Sequence, residues 1–166
     1  MTTVQRIDHI AIAVPDLRAA LTLFHDVLGA RLVHGGDDPR LDIRTVQLRL
    51  PIGIKVELMT PTSPTSYLQA FLDKKGPGFH HMTIMVDDVE HTIEDMTTAG
   101  IDVVDTNLTH PRWRETFVRP SQGFGLLQVV DSDGDWSTPT TEYTLEDVLS
   151  GRVRWGEDHL AHKVTP

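Results

Sequence analysis

Apolar and polar residues alternate along one stretch near the start of the chain and again along a second stretch near its middle. The first runs over Ile7–Val14 and the second over Phe79–Val86. Because strand side chains point alternately to the two faces of a sheet, each stretch predicts a β-strand with one aliphatic face. Superimposing the two places His9 on His81, an offset of 72 residues (81 − 9), so the chain predicts an internal repeat.

Each of these strands is followed by a stretch with helical periodicity. Asp16 predicts the N-cap of the first helix, which carries an apolar stripe. Asp88 predicts the N-cap of the second, which ends at Gly100, and a third short helix is predicted over residues 66–75. The apolar stripe of the first helix consists of Leu17, Leu21, Phe24 and Leu28.

Further alternating runs predict three more strands in each half, so each half follows the order βαβββ. The two modules span about residues 6–61 and 78–131, and together they predict one α+β domain over residues 6–131. The segment 35–39, Gly-Gly-Asp-Asp-Pro, predicts a turn or a mobile loop. The remaining predicted strands cover residues 30–33, 43–50, 54–60, 101–104, 114–118 and 124–130.

Residues 132–166 follow the repeat and have no clear period beyond a short capped helix at 144–149. We interpret them as a C-terminal extension that packs on the surface of the domain or on a partner subunit.

Composition narrows the classes of function. The formal net charge of −9 argues against a nucleic-acid partner and against an anionic membrane surface. The chain has no cysteine, which excludes disulfides and thiolate metal ligands. It has no apolar run of membrane-spanning length, and its first residues lack the pattern of a secretory signal. We therefore expect a cytoplasmic protein that acts on a small molecule.

Four side chains occupy matching positions in the two modules and suit a metal ion. His9 and His81 lie on the first strands, and Glu57 and Gln128 on the last strands, 71 residues apart (128 − 57). Imidazole nitrogens with carboxylate or amide oxygens are typical ligands of a borderline divalent cation. Each residue taken alone is more often a packed or solvated side chain, but their repetition favours a shared metal site. His80 points to the opposite face and is interpreted as a packed histidine or as one that supports a ligand without binding the metal.

Three segments carry a resemblance to a known family, namely Asp8–Leu17, Lys55–Pro61 and Phe71–Met82. They resemble the vicinal oxygen chelate superfamily, which includes glyoxalases, bleomycin-resistance proteins and extradiol dioxygenases, and within it the methylmalonyl-CoA epimerases. The resemblance implies two βαβββ modules forming a curled mixed sheet around a metal site. It also implies one divalent ion, whether cobalt, manganese, nickel or zinc, as the cofactor. The implied ligands are His9, Glu57, His81 and Gln128.

The resemblance further implies a metal-dependent isomerase or epimerase that removes a proton α to a carbonyl of an acyl-CoA or related substrate. The metal would stabilise the enolate that results. The last ligand is usually glutamate in such enzymes, whereas this chain has Gln128, which cannot carry a proton. Glu57 is therefore the expected base, and Glu115 is a second candidate acid or base. A homodimer is expected on the same grounds.

Three alternatives share this framework. A glyoxalase-type lyase needs the same metal and base. An iron oxygenase would use His9, His81 and Glu57 as two histidines and one carboxylate. A non-enzymatic protein of the resistance type would hold a small molecule in the same cavity without a metal.

Overall fold

The structure is a computed structural model, and the residues that it describes are 1–164. These residues contain ten strands and five α-helices, which confirms the predicted α+β class. The strands are β1 (Val4–Ala13), β2 (Arg31–Asp38), β3 (Ile43–Arg49), β4 (Lys55–Pro61), β5 (Gly78–Val86), β6 (Val103–Asn107), β7 (Arg114–Val118), β8 (Leu126–Asp131), β9 (Val153–Trp155) and β10 (Ala161–Lys163). The helices are α1 (Leu17–Leu21), α2 (Tyr67–Lys75), α3 (Val89–Thr98), α4 (Pro120–Gly123) and α5 (Leu145–Leu149).

The strands form one mixed sheet, as the sequence predicts. Their order is β10-β9-β2-β3-β4-β1-β5-β8-β7-β6. The β5–β8 and β2–β9 pairs are parallel, whereas the β2–β3, β3–β4, β6–β7 and β7–β8 pairs are antiparallel. Within the described part of the chain, the helices are too short and too polar to cross a membrane.

Two compact units divide the chain, and strand β1 contributes to both. The first unit consists of residues 1–10 and 80–134, and the second of residues 11–79 and 135–164. In the first unit, helix α3 packs on the sheet through a cluster that includes Val89. The second unit has a larger apolar cluster between helix α1 and strands β3 and β4.

The predicted helix starts are confirmed, but the first helix changes its hydrogen-bonding pattern. Asp16, Ser66 and Asp88 each accept backbone N–H groups at the start of α1, α2 and α3. Helix α1 then continues as a π-helical segment over Thr22–Val27. Because a π-helix bonds i to i+5, the period of 3.6 residues is lost. Leu28, predicted as part of the apolar stripe, is consequently 44% exposed.

The predicted turn or mobile loop at residues 35–39 is wrong, because Gly35 and Gly36 lie inside strand β2. A Cβ atom on Gly35 would meet the carbonyl oxygen of Thr45 at 2.7 Å. A Cβ atom on Gly36 would meet the carbonyl oxygen of Val153 at 3.2 Å. The two glycines therefore permit close backbone approach within the sheet, which is the other common reason for glycine in a strand.

The residues after 134 are part of the core of the second unit, so their interpretation as a surface appendage is corrected. Strand β9 pairs with β2, and β10 pairs with β9. The predicted helix at 144–149 is confirmed as α5, which begins with a capping box at Thr144. The buried side chains that this segment contributes are Trp136, Tyr143, Val148, Val153 and Ala161.

The predicted element boundaries shift near the end of the first unit. Strand β6 begins at Val103, not at residue 101, and its pairing with β7 is irregular between Val104 and Asn107. A short helix over Pro120–Gly123, which the sequence analysis does not predict, precedes β8. Its start is explained by proline, whose fixed φ suits the first position of a helix.

The Gly35→Ala variant tests the close packing on strand β2. Its added methyl group would overlap the Thr45 carbonyl, so we expect a loss of about 1–3 kcal/mol in the free energy of unfolding. Gly123→Ala is the matched control, because its Cβ atom would meet other atoms at no less than 3.4 Å. Urea denaturation followed by circular dichroism measures both. Equal stability of Gly35→Ala and the wild-type protein would contradict the packing described here.

Candidate metal centre

Strands β1 and β5 of the first unit bring His9 and His81 together. The two imidazoles are 2% and 6% exposed, and their ring centroids lie 5.5 Å apart. Asp8, which is also buried, places its Oδ2 atom 2.9 Å from His9 Nδ1. If the Asp8 carboxylate accepts a hydrogen bond from Nδ1–H, the lone pair of His9 lies on Nε2. In that tautomer Nε2 is the nitrogen available to a metal ion.

His81 is held through the same ring atom by its neighbour in the chain. His80 Nδ1 lies 2.8 Å from His81 Nδ1, which leaves Nε2 as the outward nitrogen of His81. The pKa of His81 lies well below its ordinary value, chiefly because burial disfavours the charged imidazolium and also because His9 and His80 would repel it. His81 is therefore neutral near pH 7, which is the form that binds metal.

Thr83 connects the histidines to Gln128. Its Oγ1 atom lies 3.0 Å from His9 Nε2 and donates a hydrogen bond to Gln128 Oε1 at 2.5 Å. A hydroxyl has a single proton and therefore cannot donate to both acceptors at once. If His9 is protonated only on Nδ1, its Nε2 atom and Gln128 Oε1 are two acceptors beside a single hydroxyl proton, which suits a cation.

Glu115 contacts Gln128 from strand β7. Its Oε2 atom accepts a hydrogen bond from Gln128 Nε2 at 2.5 Å and another from Trp113 Nε1 at 2.8 Å. The Gln128 amide is thus oriented at both ends, with its nitrogen toward Glu115 and its oxygen toward Thr83. Only the oxygen of an amide binds metal, and it is the oxygen that faces the histidine side.

Strand β4 of the second unit provides Glu57, whose side chain is buried at 8% exposure. Gln47 lies directly opposite on strand β3, and its Nε2 atom donates to Glu57 Oε1 at 3.0 Å. One carboxylate oxygen is therefore engaged by an amide N–H.

His9, Glu57 and His81 satisfy the geometric requirement for a shared cation. Each offers one ligand atom, and these three atoms lie within 4.8 Å of one another. Two imidazole nitrogens and one carboxylate oxygen match the donor preference of zinc, cobalt, nickel or manganese. The residues therefore fit the divalent ion that the sequence implies.

Three contributing residues escape the sequence analysis, namely Asp8, Thr83 and Gln47. Asp8 directly precedes His9, and Thr83 shares a strand face with His81. The local sequence pattern could therefore have identified both residues as neighbours of the histidines. Gln47 could have been found only from the register of the β3–β4 hairpin, which pairs it with Glu57.

The chain is similar in sequence to curated epimerases. The chain is 34% identical over 100 residues to the ethylmalonyl-CoA/methylmalonyl-CoA epimerase of Cereibacter sphaeroides, covering 60% of this chain and 74% of that protein. It is 36% identical over 97 residues to the mitochondrial methylmalonyl-CoA epimerase of Mus musculus, covering 58% of this chain. That match spans only 54%, just over half, of the mouse protein's length.

A solved structure is similar over most of the chain. It is Streptomyces coelicolor methylmalonyl-CoA epimerase in complex with 2-nitronate-propionyl-CoA, with 27% sequence identity and a TM-score of 0.69. The similarity covers 80% of this chain and 100% of that one.

A family model matches residues 8–118 of the chain. The matched range includes three of the four predicted ligands. With its buried His9, Glu57 and His81, the chain belongs to the Glyoxalase/Bleomycin resistance protein/Dioxygenase superfamily.

Proposed function

We propose that this chain is a metal-dependent epimerase of an acyl-CoA thioester similar to methylmalonyl-CoA. The observation that carries the proposal is the group of His9, Glu57 and His81, whose ligand atoms lie within 4.8 Å of one another. The named epimerases among its relatives, and the acyl-CoA analogue bound to the Streptomyces enzyme, support the reaction class and the substrate class.

In this proposal His9, Glu57 and His81 hold one divalent ion, and the Gln128 amide oxygen is the fourth ligand. When bound, such an ion supplies positive charge for the oxyanion that develops as the α-proton leaves. Gln128 is neutral, so the ligand set has a single negative charge and leaves about one net positive charge on a divalent ion. Glu115, through Gln128 Nε2, keeps the amide oxygen turned inward.

The proton transfers are assigned to two carboxylates. Glu57 breaks the α-C–H bond by accepting its proton on a carboxylate oxygen. Glu115, protonated at the start of that turnover, returns a proton to the opposite face of the carbon. Inversion at carbon requires these two groups on opposite faces of the substrate, and the two protonation states are exchanged after each turnover.

The wider setting is part of the same proposal. We place the two repeated modules at residues 6–131, and the segment that follows completes the core of the second unit. The protein is proposed to be a homodimer in the cytoplasm. Its proposed binding partner, apart from the second subunit, is the small-molecule substrate.

Metal content of the native protein is the first test. We expect about one divalent ion per chain by mass spectrometry, and its loss in His81→Ala, because a neutral buried imidazole is one of few available donors. His91→Ala is the control, since that side chain is 43% exposed on helix α3 and outside the ligand group. Chelator treatment should abolish activity, and added cobalt should restore it. A metal-free wild-type protein that still catalyses epimerisation would contradict the proposal.

Deuterium exchange separates the roles of the two carboxylates. In D₂O with methylmalonyl-CoA, we expect Glu57→Gln to reduce α-proton exchange by about 10²–10⁴-fold, the usual contribution of a general base. Glu115→Gln should retain exchange in one epimer but lose inversion, because only the second proton donor is removed.

Exposed Glu94→Gln is the matched control for the change of charge, since Glu94 is 79% exposed. Nuclear magnetic resonance of the α-proton measures exchange, and a coupled stereospecific assay measures inversion. Normal inversion in Glu115→Gln would remove Glu115 from the mechanism.

A further inference from the structure

A row of polar side chains crosses three strands of the second unit beside Glu57. His34 on β2 pairs with Gln47 on β3, and Gln47 pairs with Glu57 on β4. Residues directly opposite each other in neighbouring antiparallel strands present their side chains on the same face. Gln47 is 6% exposed, so this amide is nearly as inaccessible as an apolar core residue.

The Gln47 amide uses only its nitrogen. Nε2 donates to Glu57 Oε1 at 3.0 Å, whereas the buried Oε1 atom has no hydrogen-bond partner among residues 1–164. Turning the amide by 180° would place its oxygen against a carboxylate oxygen, and both atoms are acceptors. The carboxylate of Glu57 therefore determines the amide orientation.

An unmet acceptor in a buried strand destabilises the fold. A leucine or methionine at position 47 would avoid that cost, but it would not donate the hydrogen bond to Glu57. Departures of this kind from local rules are expected where a residue has a functional task.

We propose that Gln47 is a positioning residue for Glu57. By holding Oε1, it leaves the second carboxylate oxygen, Oε2, as the atom offered to the metal ion and restricts rotation of the carboxylate. Asp8 and His80 contact His9 and His81 in a comparable way, so each of the three ligands has a side-chain partner. The inference rests on the proposed function, because it takes Glu57 as a ligand.

Cobalt binding to the full chain tests this assignment. After removal of metal with a chelator, Co²⁺ alone is titrated into wild-type protein and into Gln47→Met by isothermal calorimetry. We expect cobalt affinity to fall about 10–100-fold, the usual effect of removing a hydrogen-bond partner of a ligand. The visible absorption of bound Co²⁺ should also change, because the carboxylate is no longer held. Thermal unfolding of the metal-free proteins is measured in parallel, because Gln47→Met removes the unmet acceptor and also a hydrogen bond to the buried Glu57 carboxylate.

Gln122→Met is the matched control. The Gln122 side chain also makes hydrogen bonds, with Asp102 N and Gly100 O, but it is outside the ligand group. We expect wild-type cobalt affinity and a wild-type spectrum. Gln47→Asn serves as a second variant, because it keeps the amide but is one methylene too short to reach Glu57. It should also bind cobalt more weakly, and it gives an answer if Gln47→Met does not fold.

The outcomes separate the two proposals. Wild-type affinity and spectrum in a folded Gln47 variant would overturn the role of Gln47 and leave the metal centre standing. A wild-type protein that takes up no cobalt would overturn both.

Discussion

The burial of a carboxylate beside two imidazoles is the constraint on which the centre depends. Glu57 is 8% exposed, and an ionised carboxylate at that depth is unfavourable unless a cation or several hydrogen bonds compensate it. The Gln47 amide is neutral and supplies one hydrogen bond. His81 cannot supply the positive charge, since burial and its neighbours lower its pKa. The divalent ion proposed for this centre would compensate all three side chains at once, which would account for their burial.

The partners of the predicted ligands come from the strands themselves. Asp8 and His80 are adjacent in sequence to the histidines that they contact. Gln47 faces Glu57 across the β3–β4 hairpin, so its position follows from the strand register. Ligands supported in this way from regular strands are held more rigidly than ligands on loops.

Local periodicity accounts for what the sequence predicted well. Alternation over Ile7–Val14 and Phe79–Val86 was sufficient to place His9 and His81 on strands and on comparable faces. Asp16 and Asp88 identified helix starts because capping depends on residues only two or three positions apart. The contacts of Thr83 and Gln47 were missed, because they depend on which strands become neighbours. That choice is made by long-range packing, which a single sequence does not show.

The main errors in the fold have one physical origin. Gly35 and Gly36 have a composition typical of a turn, yet their small size accommodates Val148 and Val153 from the distant end of the chain. The prediction of a loop at the glycines and the prediction of a surface appendage after residue 131 therefore failed for the same reason. Both missed the contact between strand β2 and the C-terminal segment. The conformation of each segment depends on residues that are distant from it in sequence.

Strand β9 also has a consequence for the time course of folding. Asp37 pairs with Arg154, a separation of 117 residues (154 − 37), so one edge of the second unit closes only across most of the chain. Contacts of such long sequence separation slow folding, because the entropy of a large loop is lost before they form. During synthesis, the core formed by residues 11–79 remains incomplete until the segment that begins at residue 135 has been made. All residues of the first unit precede that segment, so this unit can reach its compact state earlier on the ribosome.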